Sequence, residues 1–473
     1  MQVQQVISQR VSVALGRKRG EADNYVDIIT GPNGCGKTEV LEVLLQYAMS
    51  SLPRPYNQHN RWPVVTTDGT PDRVVVQTFS PFSRFPAPRA DRTSLTRKYT
   101  EDEVQQDKYV CVGLHKSSRN VGTGLSRRVL EEALFRLSEN PKSAETLFSV
   151  LYEIGFQTRL SLGYKPRIGF VEAFSTDDPS QYLETYLSNV RYHNSYRQRD
   201  KLILSELNSD DAKNFIGVLR HSIGVVRDHR ENLGKIYQLS ISLQDVRRDF
   251  HTIQAFALLR RLDLLSLTSC ELRTNEHESI DVAKTSSGQQ QMLCAIFGLA
   301  TSISSGCIAL LDEPELSLHP EWQLKFVDAL FRIVHSVQDS HIIVATHSPL
   351  VVQQAVLHGA DVVQMGDKAR KPAFASHSLS EKPVSVEQAL VDVFHTPIAG
   401  SAHVSNEIFQ AVLKGETGNI AEKQEALATL EQLNEIYQDE KDGKTVRLVR
   451  DAIRLINMPD DSSPNSGALG RAE

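Results

Sequence analysis

The sequence predicts an α/β protein built on a mostly parallel central sheet, and three observations carry that expectation. Two very apolar runs, Cys307–Leu311 and His341–Thr346, flank a helix-spaced segment from Pro320 to Ser336, which is βαβ rhythm. Both runs are near-continuously apolar instead of alternating, the pattern of strands covered on both faces. A third β-prone run, Tyr25–Thr30, stops at a glycine turn and passes into Val40, Leu41, Leu44, Leu45 and Ala48 at helical spacing.

The remaining elements follow in chain order. Arg73–Phe79 and Tyr109–Leu114 read as strands, and the Pro-rich, basic stretch from Pro81 to Arg97 reads as a loop. From Ser126 to Leu233 the segments have helical period with polar joints. Asn140-Pro141 is a helix start there, leading to Leu147, Phe148, Leu151 and Tyr152 on one face. Tyr237–Leu243 alternates like a strand, Val246–Leu262 is helix-spaced, and Leu264–Leu272 is strand-like. Thr285 to Leu311 carries no charge, and its second part resembles a membrane span in hydropathy. The polar break from Thr301 to Gly306 divides it into a buried helix feeding a central strand, so no membrane partner is expected. Beyond Asp367 the chain reads as helical, with Ala421–Tyr437 and Val446–Ile456 amphipathic. The expected organisation is a nucleotide-binding domain in two parts, 1–125 and 234–378. A helical insertion at 126–233 divides them, a helical partner-binding region follows at 379–458, and 459–473 is a disordered tail.

Composition narrows the class. The 473 residues allow about three domains, or one large domain with insertions. With 52 Lys+Arg against 58 Asp+Glu, the net charge of −6 excludes a histone-like cation but not a local basic groove. The five cysteines are an odd number, widely spaced, with no Cys-x-x-Cys, which fits reduced packing thiols. The start, Met1-Gln-Val-Gln-Gln-Val, has neither the basic nor the apolar part of a secretory signal. A cytoplasmic location is expected.

The chemistry concentrates in four motifs. Gly31-Pro32-Asn33-Gly34-Cys35-Gly36-Lys37-Thr38 fits G-x-x-x-x-G-K-[ST] between a strand and a helix. Glycines let successive N–H groups turn toward phosphates, and the helix N-terminus adds its positive dipole end. Lys37 brings a charge to the β- and γ-phosphates, and the Thr38 hydroxyl is placed to ligate Mg²⁺. In the second motif, Cys307-Ile308-Ala309-Leu310-Leu311-Asp312-Glu313-Pro314, two carboxylates emerge at a strand's C-terminal end, where open α/β sheets bind ligands. Asp312 is suited to hold Mg²⁺ and Glu313 to polarise the attacking water. In the third, Thr346-His347-Ser348-Pro349, His347 is in reach of a γ-phosphate on the neighbouring strand. In the fourth, Ser286-Ser287-Gly288-Gln289-Gln290 opens a helix and makes a second anion site. Since the chain already has a phosphate loop, this site makes sense as a cap on nucleotide held by another subunit.

The order of these motifs resembles ABC-type ATPase domains of the SMC, RecF and OLD sort. It is most similar to the stand-alone bacterial ATPases with Leu-His-Pro after the acid pair (here Leu318-His319-Pro320), a group that includes the PtuA ATPases of Septu and retron anti-phage systems. The resemblance implies ATP and Mg²⁺ as ligands and copies packed head to tail. Ser287 and Gly288 of one copy would close over ATP held by Lys37 of another, and Ser317-Leu318-His319 would line the interface. It also implies that Gln77 senses Mg²⁺ and the γ-phosphate, and that a separately encoded HNH or Toprim-type nuclease is the partner. Two departures stand out. No aromatic precedes Tyr25, so the usual adenine-stacking residue is missing, and a compact insert replaces the long coiled coil of SMC-like repair proteins.

Other signals are weaker. Arg191 to Arg199 interleaves cations with Tyr192, His193 and Tyr196, and Arg220, Arg227, His229, Arg230 and Lys235 follow, so the insertion is a candidate DNA or RNA contact. The Arg89, Arg92, Arg97 and Lys98 loop is similar. No nuclease site is expected within the chain, because the acidic pairs Asp439-Glu440 and Asp460-Asp461 follow helices instead of apolar strands. The leading functional expectation is an ATPase that regulates a partner nuclease. The alternatives are a repair or recombination ATPase acting on DNA itself, and a nucleotide-gated scaffold with little turnover.

Overall fold

The computed structural model describes residues 2–17, 20, 23–49, 63–86, 108–114, 124–192, 209–231, 236–366, 385–394, 396–398, 400–438 and 443–457. The chain forms two compact units, Met1–Ala369 and Arg370–Glu473. In the first, the strands are β1 (Val3–Ile7), β2 (Ser12–Ala14), β3 (Tyr25–Thr30), β4 (Val64–Thr67), β5 (Arg73–Thr78), β6 (Tyr109–Gly113), β7 (Phe156–Pro166), β8 (Tyr237–Ser242), β9 (Leu265–Thr274), β10 (Ser279–Asp281), β11 (Cys307–Asp312), β12 (His341–Ala345) and β13 (Asp361–Gln364).

Six of these make the central sheet, in the order β13-β3-β12-β11-β5-β6, with every neighbouring pair parallel. The apolar runs of the sequence are its middle: all of β11 and β12 is buried. On one face Val74, Val76, Ile308, Leu310 and Ile343 pack with Leu41 and Leu44 of the helix Lys37–Met49. The helix Ser287–Ser302 packs on β5 and β6. Its approach is very close at Gly298, where a Cβ would lie 2.2 Å from Val112 Cγ1. This helix is the uncharged stretch of the sequence, buried from Gln291 to Ser302 and leading into β11. Among the described residues, no helix is long and apolar enough to cross a membrane.

Two antiparallel sheets complete the unit, ordered β2-β1-β4 and β10-β9-β7-β8. The strand β7 departs from the expectation of a purely helical insertion. Over its eleven residues Leu160, Leu162 and Tyr164 point inward and are fully buried. This period-2 pattern stands in the sequence but is interrupted at Thr158 and Arg159, so a helical reading of the flanks absorbed it. The insertion also contains the expected helices, including Gly124–Glu139, Lys142–Glu153 and Ser209–Arg227. Behind β7 the two oxygens of the buried Glu131 carboxylate share the Arg260 Nε–H at 3.0 and 3.2 Å, the charged partner a buried acid needs.

The second unit is helical where it is described. Helices Ala402–Thr417, Ile420–Tyr437 and Lys444–Ile456 bury Ile408, Leu430, Leu433, Val449 and Ile456 against one another. The Tyr437 hydroxyl ties the chain before them, donating to Ile398 O at 3.2 Å and accepting Ile398 N–H at 3.0 Å. Asp439-Glu440, Asp460-Asp461 and the tail from 459 lie outside the described residues, as do Arg89, Arg92, Arg97, Lys98, residues 193–199 and Lys235. Of the described cations of the insertion, Arg227 is already engaged, donating to Thr176 O at 2.7 Å and pairing with Asp177 at 3.0 Å. Arg220 lies 3.9 Å from Asp178.

Candidate functional site

Parallel register brings the chemistry to one edge. Asp312 stands beside Ala345, and Ala345 beside Ile29, so β11, β12 and β3 end together. The turn after β3 is possible because of Gly31, whose φ is 147° and whose added Cβ would lie 2.2 Å from Met365 O. Gly34 and Gly36 also have positive φ, 79° and 101°. The loop closes onto the helix Lys37–Met49 and directs its N-terminus at the edge.

Lys37 reaches back along the loop. Its Nζ donates to Gly31 O at 2.9 Å and Pro32 O at 3.1 Å, and lies 3.4 Å from His347 Nδ1 and 3.8 Å from Cys35 Sγ. Burial lowers the Lys37 pKa, against the raising effect of Cys35, Glu313 and Asp312. The Thr38 hydroxyl donates to Asp312 Oδ1 at 3.0 Å. Burial pushes the Asp312 carboxyl up to about 6; Thr38 opposes this, while Glu313, Glu315 and Glu42 add to it. Glu313 has φ of 49°, unusual for a residue with a side chain, and its N–H donates to Ala345 O at 2.9 Å. Its Oε1 stands 3.6 Å from His347 Nε2. Burial first, and Lys37 second, lower the His347 pKa below its ordinary 6.5. A cavity of about 510 Å³ opens here, lined among others by Asn33, Glu313, Glu315, Gln323, His347 and Ser348.

The residues present fit a magnesium–nucleotide ligand. Among the described residues, no group of three or more His, Cys, Asp or Glu side chains forms a metal site by itself. Mg²⁺ on phosphates needs only one or two protein oxygens, its other ligands being phosphate and water. Thr38 and Asp312 supply such a pair. The raised Asp312 carboxyl, among three other acids, is a concentration of negative charge that a cation relieves.

Two predicted elements sit apart from this group. Gln77 is fully buried, and its amide atoms have no hydrogen-bond partner. Register sets it beside Leu311, whereas Thr78 is beside Asp312, so strand alternation turns Gln77 to the face opposite Thr38 and Asp312. The structure therefore does not bring Gln77 to the proposed metal ligands. Ser286 is the N-cap of the helix Ser287–Ser302 and forms a capping box with Gln289. The N–H groups of Ser287 and Gly288 are left at the open helix end. Gly288 abuts the Ser317 turn of its own chain, where an added Cβ would lie 3.0 Å from Ser317 O.

Three residues at the cavity are given no role by motif reading: Glu315, Gln323 and Ser348, the last although it stands within the third motif. Glu315 Oε1 accepts from Thr346 Oγ1 at 2.6 Å and His347 N at 2.9 Å, and Ser348 Oγ donates to Gln323 Oε1 at 2.6 Å. A second acid two residues after Glu313 was the available signal for the first of them.

The parallel sheet, the glycine turn after β3 and the acids at the ends of its neighbours are the parts of a P-loop nucleotide-binding domain. Residues 150–353 match the family described as "AAA domain, putative AbiEii toxin, Type IV TA system", a span that holds the acid pair and His347 but not the phosphate loop. Among solved structures, the chain is similar to the Smc head domain with an extended coiled coil, bound to the C-terminal domain of ScpA, from Pyrococcus furiosus. Identity is 10%, with 74% of this chain and 91% of that one covered and a TM-score of 0.25. No curated protein matches the chain.

Proposed function

We propose that this chain binds ATP with Mg²⁺ and hydrolyses it between two copies packed head to tail. The observation that carries this reading is the convergence of Lys37, Thr38, Asp312, Glu313 and His347 at one strand edge, with Thr38 and Asp312 3.0 Å apart. When bound, Mg²⁺ neutralises phosphate charge and fixes the phosphate oxygens. Lys37 exchanges its two loop carbonyls for phosphate oxygens, and Thr38 and Asp312 hold the metal. Glu313 orients the attacking water and accepts its proton. His347, kept neutral by burial and by Lys37, reaches the γ-phosphate side of the cavity. Ser287 and Gly288 of a second copy seal the site with their open N–H groups.

The test is Glu313→Gln, with ATP turnover and ATP-dependent association by light scattering as readouts. Turnover falls by about a hundredfold or more, ATP binding persists, and the closed assembly accumulates. Hydrolysis at the wild-type rate would overturn the role given to Glu313. The biological reading is regulation of a separately encoded HNH or Toprim-type nuclease in anti-phage defence, in the manner of the PtuA ATPases. The motif order supports it, and so does a separate C-terminal unit that is helical where described. Co-purification with the neighbouring gene product, with and without ATP, tests it. Capture of no nuclease in either state would count against it.

A further inference from the structure

The geometry points to Glu315 as a positioning residue that ties the turn after β11 to the turn after β12 and thereby fixes His347. This rests on the ATPase reading and deepens it, because it names what sets the site's geometry.

The ring of His347 has only long contacts, 3.4 Å to Lys37 and 3.6 Å to Glu313. It is held instead through its backbone, whose N–H donates to Glu315 Oε1 at 2.9 Å, beside the Thr346 hydroxyl on the same oxygen at 2.6 Å. The bonds continue and close on themselves. Ser348 N–H donates to Thr346 Oγ1 at 2.9 Å, Ser348 Oγ to Gln323 Oε1 at 2.6 Å, and Gln323 Nε2 to Leu318 O at 3.0 Å. Leu318 N–H returns to Glu315 O at 2.9 Å. Glu315 thus links the Ser317–His319 turn to the histidine turn. It also stands between two residues with side chains in the left-handed region, Glu313 at φ 49° and Ser317 at φ 66°. Such a turn persists only where its surroundings hold it. The bracket is what holds it.

Glu315 Oε2 is buried and has no partner. The side chain therefore serves through one acceptor oxygen and not through a charge pair. Burial, which pushes its carboxyl up, agrees with that use. A glutamine keeps the acceptor; an alanine removes it.

The experiment compares Glu315→Gln and Glu315→Ala by ATP affinity, by turnover and by NMR of ¹³C-labelled histidine, with His347→Gln assigning the His347 signal. In Glu315→Ala the ATP Kd stays within about threefold of wild type, kcat falls by at least about tenfold, and the His347 resonance shifts and broadens. Glu315→Gln returns kcat to within about threefold and restores the resonance. An unmoved His347 signal in Glu315→Ala, or a Glu315→Gln variant as impaired as Glu315→Ala, would overturn the assignment. Should Glu315→Ala not fold, Thr346→Val deletes the two bonds that the Thr346 hydroxyl makes, to Glu315 and from Ser348 N–H, leaves the Glu315 bond to His347 N–H in place, and gives the same shift in smaller measure. The resonance needs no turnover, so a wild-type protein that neither binds nor hydrolyses ATP sinks the ATPase reading while the His347 signal still decides the bracket.

Discussion

Each end of the central sheet carries a histidine facing a carboxylate, and the two pairs are built to opposite specifications. At the N-terminal ends of the strands, His341 and Asp27 are 0% and 1% exposed, with Nε2 2.6 Å from Asp27 Oδ2. His341 Nδ1 accepts Val3 N–H at 3.0 Å, so Nε2 carries the hydrogen donated to Asp27. Gly16 N–H donates to the same carboxylate oxygen at 2.7 Å. At the C-terminal ends, His347 and Glu313 are 33% and 36% exposed, stand 3.6 Å apart, and open on a cavity. A satisfied, dry pair leaves nothing for a ligand and holds β1, β3 and β12 together. A loose, half-open pair contributes little to folding and keeps its bonding capacity for a substrate. The same pairing of imidazole and carboxylate thus serves architecture at one edge and is free for chemistry at the other.

That contrast can be broken experimentally. The largest effect on ligand binding is expected from Lys37→Ala at the open edge. ATP affinity by calorimetry falls at least about a hundredfold, near 3 kcal/mol, with little change in Tm. Next comes the pair of histidines. His341→Ala leaves the Asp27 carboxylate buried with one donor and costs about 3–5 kcal/mol in urea unfolding. His347→Ala costs under about 1 kcal/mol but lowers turnover by about tenfold or more. Equal destabilisation by both would erase the distinction between the two edges.

The smallest effect sharpens the comparison through pH. Burial raises the Asp312 carboxyl from 3.8 to about 6. The folded state then holds this proton more tightly than the unfolded chain does, so the group's contribution is complete below 3.8 and disappears as pH rises through about 6. Asp312→Asn is accordingly expected to stabilise the metal-free protein at pH 8 by on the order of 1–3 kcal/mol, and by less at pH 5, while abolishing Mg²⁺-dependent turnover. A Tm gain that is the same at both values would contradict the burial account.

Much of the open edge was legible in the sequence, and little of the closed one. The phosphate loop, the acid pair after an apolar strand and the histidine after its neighbour are local signals, each complete within a few residues. The elements β3, β11 and β12 fell within a residue of expectation because both faces are buried and their apolar runs are unbroken. His341 and Asp27 are 314 positions apart and carry no motif, so only the parallel pairing of β12 with β3 discloses them. The strands β1, β2, β4 and β13 were likewise missed, being short or partly exposed and defined by their partners more than by their own composition. Gln77 shows the converse failure: its place at a strand end was right, but the side on which it emerges depends on a register no linear reading supplies.

The contact of Gly298 with Val112 has a mechanical consequence. Helix and strand meet there with no side chain on the helix to cushion them, and a close-packed interior yields little to compression. The helix that begins at Ser287 is therefore seated at a fixed distance from the sheet's outermost strand. A methyl group added at Gly298 would force helix and strand apart, and would shift the Ser287 end relative to the sheet.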